Sequence, residues 1–263
     1  MPVSLLGFPW DASSSHARGP ALGPSIIRSL LRSDASSPYS LSGVDVTRVI
    51  SAEMFDPLPE DAAAARADIT ARVGEALAAG RAPLSLGGDH SVTYPILEAV
   101  RDKHGPVNVL HIDAHRDLYD EFEGDRYSHA SPFARALEAG SIRTLVQVGI
   151  RSASPEQEKV AAPHDVIALG AEEAGSVPFD RLTGPLYISI DLDGLDPAFA
   201  PGVSHLEPGG LSTREVLAMI KKAPGPLIGA DIVELNPERD VNLMTANVAV
   251  RLVKELAARL AED

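Results

Sequence analysis

The chain of 263 residues contains no cysteine. That absence excludes disulfide scaffolds, cysteine-ligated zinc, iron–sulfur clusters and thiol nucleophiles. Basic residues are scarce, 23 Lys and Arg against 37 Asp and Glu, for a formal net charge of -14. A chain of that sign has no electrostatic reason to bind nucleic acid or an anionic membrane. No apolar run approaches the ~20 residues needed to cross a bilayer. The start, Met1-Pro2-Val3-Ser4-Leu5-Leu6-Gly7, has neither the basic nor the long apolar segment of a secretion signal. The expectation is a soluble, cytoplasmic protein without nucleic-acid or membrane partners. Repeats, low-complexity tails and linkers are missing as well, so residues 1–263 read as one domain.

What is present is a regular alternation. Short apolar strands are expected at Val3 to Phe8, Asp45 to Ile50, Ala82 to Leu86, from Val107, at Leu145 to Ile150, Val166 to Leu169, Leu186 to Asp193 and Pro226 to Glu234. Met54 to Pro59 reads as irregular, and Asp11 to Gly19 as a surface loop. Helical spacing fills most of the gaps. It is clearest in Asp61 to Gly80, where Ile69, Val73 and Leu77 recur four apart and Gly80 closes the helix. Most strands are apolar on both faces. That pattern predicts an α/β fold, one largely parallel sheet covered by helices on both sides. In such sheets, ligands bind at the carboxyl ends of the strands.

Those ends carry the candidate chemistry. Val107-Asn108-Val109-Leu110-His111-Ile112 runs into Asp113-Ala114-His115-Arg116-Asp117. Asp113 and His115 share a face if the strand continues through them. The strand from Leu186 ends in Asp191-Leu192-Asp193. His90 follows Gly87-Gly88-Asp89, and Glu234 ends the strand from Pro226. Carboxylates with a few imidazoles suit Mn²⁺ better than zinc or calcium. Asp113, Asp117, Asp191 and Asp193 with His90 and His115 are too many ligands for one octahedral ion that keeps a water. They are right for two ions sharing bridging carboxylates. Two ions ~3.5–4 Å apart acidify a shared water and polarise the bond it attacks, which implies hydrolysis. His111 reads as a packed or supporting histidine, while His16, His104 and His164 carry no signal. Asp196-Pro197 reads as a turn, and the acids from Asp120 to Asp125 as a solvated loop.

Gly87-Gly88-Asp89-His90-Ser91, Asp113-Ala114-His115-Arg116-Asp117 and Asp191-Leu192-Asp193-Gly194-Leu195-Asp196-Pro197 resemble the three signatures of the ureohydrolases, the arginases, agmatinases and their relatives. The resemblance spans nearly the whole chain and is strongest to the plant-type arginases. It implies an arginase-like three-layer α/β/α fold and two Mn²⁺ ions per subunit. His90, Asp113, Asp117 and Asp191 match the ligands of one ion. Asp113, His115, Asp191 and Asp193 match those of the other, so Asp113 and Asp191 would bridge. His129 matches the histidine that passes a proton to the leaving amine. Glu234 matches the carboxylate that pairs with the substrate guanidinium. The implied reaction cleaves a small guanidino compound, L-arginine or agmatine, into urea and an amine. The implied assembly is a homotrimer or homohexamer.

Three positions depart from the family pattern: Ala130 after His129, His205 where many relatives have threonine, and Arg116 inside the second signature. If Arg116 faces the pocket, it favours a carboxylate on the substrate's far end. Asp120 or Glu121 would favour an ammonium there, and arginine carries both groups. The candidate substrate contacts are therefore Glu234, Ser128, Arg116 and Asp120. Within the family, a formiminoglutamase or a guanidino-acid hydrolase is the alternative. Ile188 to Gly194 also resembles the nucleophile motif of haloacid-dehalogenase-type phosphatases, but it lies too late in the chain and the downstream acids do not fit. A metal-binding scaffold without activity is the non-enzymatic alternative.

Overall fold

The computed structural model describes residues 1–262. Its strands are β1 Val3–Phe8, β2 Ile50–Met54, β3 Ala82–Gly87, β4 Val107–Ile112, β5 Ile142–Val148, β6 Val166–Leu169, β7 Leu186–Asp191 and β8 Leu227–Val233. All pair in parallel in one sheet of order β2-β1-β3-β8-β7-β4-β5-β6. The helices are α1 Gly23–Leu31, α2 Val46–Val49, α3 Ala62–Ala78, α4 Thr93–His104, α5 Pro132–Glu138, α6 Pro155–Ala161, α7 Thr213–Lys222 and α8 Met244–Glu262.

Two apolar clusters cover the two faces of the sheet. Ile27 of α1, Val46 of α2, Val216 of α7 and Leu252 and Leu256 of α8 pack on Leu5, Leu110, Ile188 and Ile232. Ile69 and Val73 of α3, Ile96 and Leu97 of α4, Phe133 of α5 and Ala161 of α6 pack on Phe8, Val109 and Tyr187. Alternate residues of one strand thus enter opposite layers, which is why the strands read as continuous apolar runs. The three-layer α/β/α expectation is borne out. On α8, Leu252 and Leu256 are fully buried in the core.

The expected strand at Asp45 to Ile50 lies five residues later. Asp45 accepts a hydrogen bond from the Thr47 amide at 3.0 Å and caps the single helical turn α2. The strand pairing then starts at Ile50 and continues through Met54, which sequence pattern left irregular. Residues Ala171–Ser176 and Phe179–Leu182 form two 3₁₀ turns that the apolar periodicity did not mark.

Two glycines fix how closely the site loops approach one another. A Cβ on Gly88 would sit 1.9 Å from the Trp10 carbonyl oxygen, and one on Gly194 would sit 2.8 Å from the Asp113 nitrogen. Both contacts are with backbone, so neither neighbour yields by rotating a side chain. Gly88→Ala is expected to lower stability by about 1–3 kcal/mol through overpacking, read as a shift of the denaturant midpoint. A wild-type midpoint would show that the Trp10 segment moves aside freely.

Candidate metal centre and substrate cavity

β3, β8, β7 and β4 are neighbours in the sheet although β7 and β8 lie far from β3 and β4 in the chain. Their carboxyl ends bring His90, Glu234, Asp191, Asp193, Asp113, His115 and Asp117 to one edge. β4 ends at Ile112, so strand alternation does not extend to His115. Instead, the His115 amide donates to Asp113 Oδ1 at 2.6 Å, an Asx-type turn. That turn brings His115 Nδ1 to 3.4 Å from Asp113 Oδ1 and 3.1 Å from Asp193 Oδ2. Asp117 has φ of 52°, and its carboxylate turns back to 3.0 Å from His90 Nδ1. Asp193 follows from a second such turn, its amide donating to Asp191 Oδ1 at 2.8 Å.

His90 sits on a 3₁₀ turn capped by Asp89, whose carboxylate accepts from the Ser91 amide at 3.1 Å. Its protonation can be traced through its neighbours. Ser189 Oγ donates to Asp231 Oδ1 at 2.7 Å and lies 3.0 Å from His90 Nε2. With the serine proton committed to Asp231, the serine oxygen accepts, and His90 carries its proton on Nε2. His90 Nδ1 then presents a lone pair. It is buried without a hydrogen-bond partner. It nevertheless faces carboxylate oxygens of Asp113 at 3.2 Å, Asp117 at 3.0 Å and Asp191 at 3.2 Å.

A lone pair among three carboxylate oxygens is repulsive unless a cation lies between them. With no cation, the repulsion falls on protons. Burial and the Asp193 and Asp113 carboxylates push Asp191 up, and burial with Asp113 lifts Asp193 to about 7. Burial disfavours a charged His90, but Asp113, Asp117 and Asp191 outweigh it and raise its pKa. A divalent ion neutralises the same oxygens without those protons. The spacing fits: neighbouring ligands ~2.1 Å from an octahedral ion lie ~3.0 Å apart. Among the described residues, two groups offer such convergence, Asp113 with His115 and Asp193, and His90 with His111 and Asp113.

His111 serves this centre as a donor. Arg116 Nε donates to Gln147 Oε1 at 3.1 Å, which fixes the amide's orientation. Gln147 Nε2 then donates to the Arg116 carbonyl at 2.7 Å and to His111 Nδ1 at 3.0 Å. His111 must carry its proton on Nε2, which donates to Asp113 Oδ2 at 2.7 Å. Burial lowers the pKa of His111, in keeping with a neutral ring. Arg116 is therefore turned away from the substrate side. Its guanidinium is buried and pairs with Glu158.

Beside the centre lies a cavity of about 260 Å³. Its lining includes Asp117, Asp191, Asp193, His115, His129, Glu234, Tyr119, Phe122 and His205. His129 Nδ1 lies 3.6 Å from Glu234 Oε1, and its Nε2 lies 2.9 Å from Ser15 Oγ. Burial opposes a charge on His129, but Glu234, Asp117 and Asp89 overcome it and bring its pKa to about 9. Glu234 has φ of 65° and accepts from the His90 amide at 3.0 Å, which ties it to the metal-side turn. His205 stacks on His129 at 18° with ring centroids 5.5 Å apart.

Arg116, Ser128 and Asp120 do not line this cavity. Ser128 is buried and its Oγ accepts from the Ala130 amide at 3.3 Å. Asp120 is held by Arg126 and Arg135. From the acidic loop, Tyr119 and Phe122 face the cavity instead of the acids. Ser15, Gln157 and Glu207 line it without having been singled out from sequence. Ser15 belongs to a loop that follows β1 at the same edge, and that position was its available signal. The Ser13 amide donates to Asp89 Oδ2 at 2.9 Å, and the His129 amide donates to the Ser13 carbonyl at 3.2 Å.

Buried carboxylates and imidazoles at the carboxyl edge of a parallel sheet, next to a His–Glu pair, define a metal-dependent hydrolase of the α/β type. The Arginase family model matches residues 1–258. The chain is 42% identical to arginase 1, mitochondrial, of Arabidopsis thaliana, over 99% of this chain and 81% of that protein. It is 36% identical to the mitochondrial agmatinase of Gallus gallus, over 97% of this chain and 79% of that one. The structure of the arginase from Medicago truncatula superposes with a TM-score of 0.90 at 38% identity, covering 98% of this chain and 87% of that one. The chain belongs to the arginase family of ureohydrolases. Among the described residues, no helix is long and apolar enough to cross a membrane.

The His111 relay makes a direct prediction. His111→Phe should weaken divalent-metal affinity about 10–100-fold, measured by calorimetric titration with Mn²⁺, and Arg116→Met should weaken it in the same direction. Wild-type affinity in both variants would disconnect the relay from the metal centre.

Proposed function

We propose that the protein is a binuclear manganese ureohydrolase that cleaves L-arginine to urea and ornithine. One observation carries the metal half of the reading. His90 Nδ1 is buried without a hydrogen-bond partner while three carboxylate oxygens converge on it. His90, Asp113, Asp117 and Asp191 would hold one ion. Asp113, His115, Asp191 and Asp193 would hold the other. When bound, the ions supply a water acidified to near-neutral pKa and balance the buried carboxylates. The 41–42% identity to plant arginases supports arginine, and the lower identity to an agmatinase makes agmatine the second substrate to test.

The remaining chemistry belongs to side chains. Glu234 faces the cavity as an anionic partner for a planar guanidinium, which two parallel N–H donors can engage. Its bond from the His90 amide ties that carboxylate to the metal-side turn. Water oxygen adds to that carbon, and the bond to the substituted nitrogen breaks. The leaving nitrogen needs a proton. His129, whose pKa Glu234 and its neighbours raise against burial, lies beside the cavity as the group that can deliver one. Ser15, at 2.9 Å from His129 Nε2, holds the ring in place. The products are urea and an amine.

After Mn²⁺ loading, urea release from L-arginine should exceed that from agmatine and 4-guanidinobutyrate. Loaded protein that forms no urea from any of them would overturn the reading, and formamide from a formimino substrate would favour the alternative. His129→Asn should lower kcat about 10²–10⁴-fold with metal content unchanged. Metal binding should also appear in stability. At a free Mn²⁺ concentration 100 times Kd, about 2.7 kcal/mol is gained, raising Tm by roughly 5–10 °C over chelator-treated protein. An unmoved Tm would remove the metal from the account.

A further inference from the structure

We propose that His16 and His205 form a zinc-binding site at the mouth of the cavity, apart from the carboxylate centre, and that an ion held there closes the way in. The binding stands without the guanidino-hydrolase reading above; only its effect on turnover rests on that reading.

The two histidines come from different loops, His16 from the one after β1 and His205 from the one after β7. A hydrogen-bonded clamp joins those loops one residue away from each ring. Ser204 Oγ donates to the Ala17 carbonyl at 3.3 Å. Asn236 Nδ2 donates to Ser204 Oγ at 3.0 Å and to the Arg18 carbonyl at 3.1 Å. Ser204 and Asn236 are both buried, so water does not compete for these bonds. The clamp fixes the two backbones side by side, and little ordering is left for an ion to impose.

The rings meet at a separation that suits a single ion. Their centroids lie 5.4 Å apart with the planes tilted by 44°. Two imidazoles on one tetrahedral zinc, each bound at ~2.0–2.1 Å, place their centroids ~5 Å apart. Among the described residues, neither ring makes a hydrogen bond or an ion pair, so a lone pair on each is left for a ligand bond. His16 is exposed and follows Ser15, which lines the cavity together with His205. An ion between the two rings therefore stands at the entrance. It also stands near His129, whose ring centroid is 5.5 Å from that of His205 and whose Nε2 is 2.9 Å from Ser15 Oγ. Imidazole nitrogen suits zinc, whereas Mn²⁺ prefers oxygen. Mn²⁺ loading of the carboxylate centre thus leaves this pair to zinc. With two protein ligands, water completes the shell, and binding is more readily reversed than at a structural site with four.

The test uses the full Mn²⁺-loaded chain, wild type, His16→Gln and His205→Thr, dialysed against Zn²⁺, with both metals counted on the protein. The wild type should take up an additional Zn²⁺ ion per chain with its Mn²⁺ retained. Urea release from L-arginine should fall as that zinc binds and return when it is dialysed out. His16 lies outside the cavity lining, so His16→Gln should turn over arginine as the wild type does when zinc is absent. The zinc concentration for half inhibition should rise about tenfold or more in that variant, the scale on which loss of even a supporting partner weakens metal affinity. His205→Thr should lose the additional zinc as well. Zinc that enters only as Mn²⁺ leaves would place the inhibition at the carboxylate centre and overturn the proposal. Equal zinc uptake by the wild type and both variants would overturn it too. Zinc held by the two histidines with turnover unchanged would overturn the closing of the mouth. Wild-type protein that releases no urea from any guanidino compound would overturn the guanidino-hydrolase reading alone, since the zinc count is taken without substrate.

Discussion

The constraint on which this structure depends is the gathering of Asp113, Asp117, Asp191 and Asp193 around two imidazoles in a buried place. Isolated buried carboxylates are strongly unfavourable, and several together are worse. The surroundings answer that cost with oriented N–H groups. The amides of His115, Asp193 and Ala114 donate to Asp113, Asp191 and Asp193. His111 donates to Asp113, and the Ser189–Asp231 pair orients His90. Asp231 in turn accepts from Thr93 at 3.0 Å and Tyr187 at 2.8 Å. Yet each of these devices fixes geometry without supplying a positive charge to the oxygens that face His90 Nδ1. The protein builds the anionic half of an ionic contact and leaves the cationic half to come from outside.

The sheet order makes that gathering possible. β3 and β4 follow one another in the chain, but β8 and β7 lie between them. Each of the four strands thereby delivers its terminal residues beside the next, and the sheet's ~4.8 Å strand spacing sets the separation of the ligands. Parallel pairing is what puts all four carboxyl ends on one edge. Close backbone approach then finishes the job, since Gly88 lies against Trp10 and Gly194 against Asp113.

Most of this was legible from residue order because it rests on local rules. Apolar runs ending in acids mark strand ends, and the three signatures contain the carboxylates and imidazoles that the structure gathers. What was not legible depends on direction. Asp45 to Ile50 has strand-like composition, but Asp45 caps a helical turn and delays the pairing. Ser13 and Ser15 look like solvent-exposed loop residues, yet long-range bonds to Asp89 and His129 place that loop over the cavity. Asp113 and His115 do converge, through an Asx turn and not through strand alternation.

Arg116 shows the limit most clearly. Its neighbours on both sides in sequence face the metal centre, and charge alone suggested a reader of substrate carboxylates. The turn that aims His115 and Asp117 at the centre necessarily aims the residue between them elsewhere. Arg116 ends in a buried pair with Glu158 and a bond to Gln147, from which it sets the tautomer of His111. Its influence then runs through the orientation of Asp113, which does not depend on the far end of a substrate. Discrimination between substrates must come from groups that the two ends of the cavity present differently. Part of the cavity lining outside the cage comes from the segments after β5 and β7, with Gln157 on α6 and Glu207 on a loop, where exchange leaves the strand ends untouched. A fold that keeps its cage on strand ends and its selectivity on loops can change what it hydrolyses without changing how.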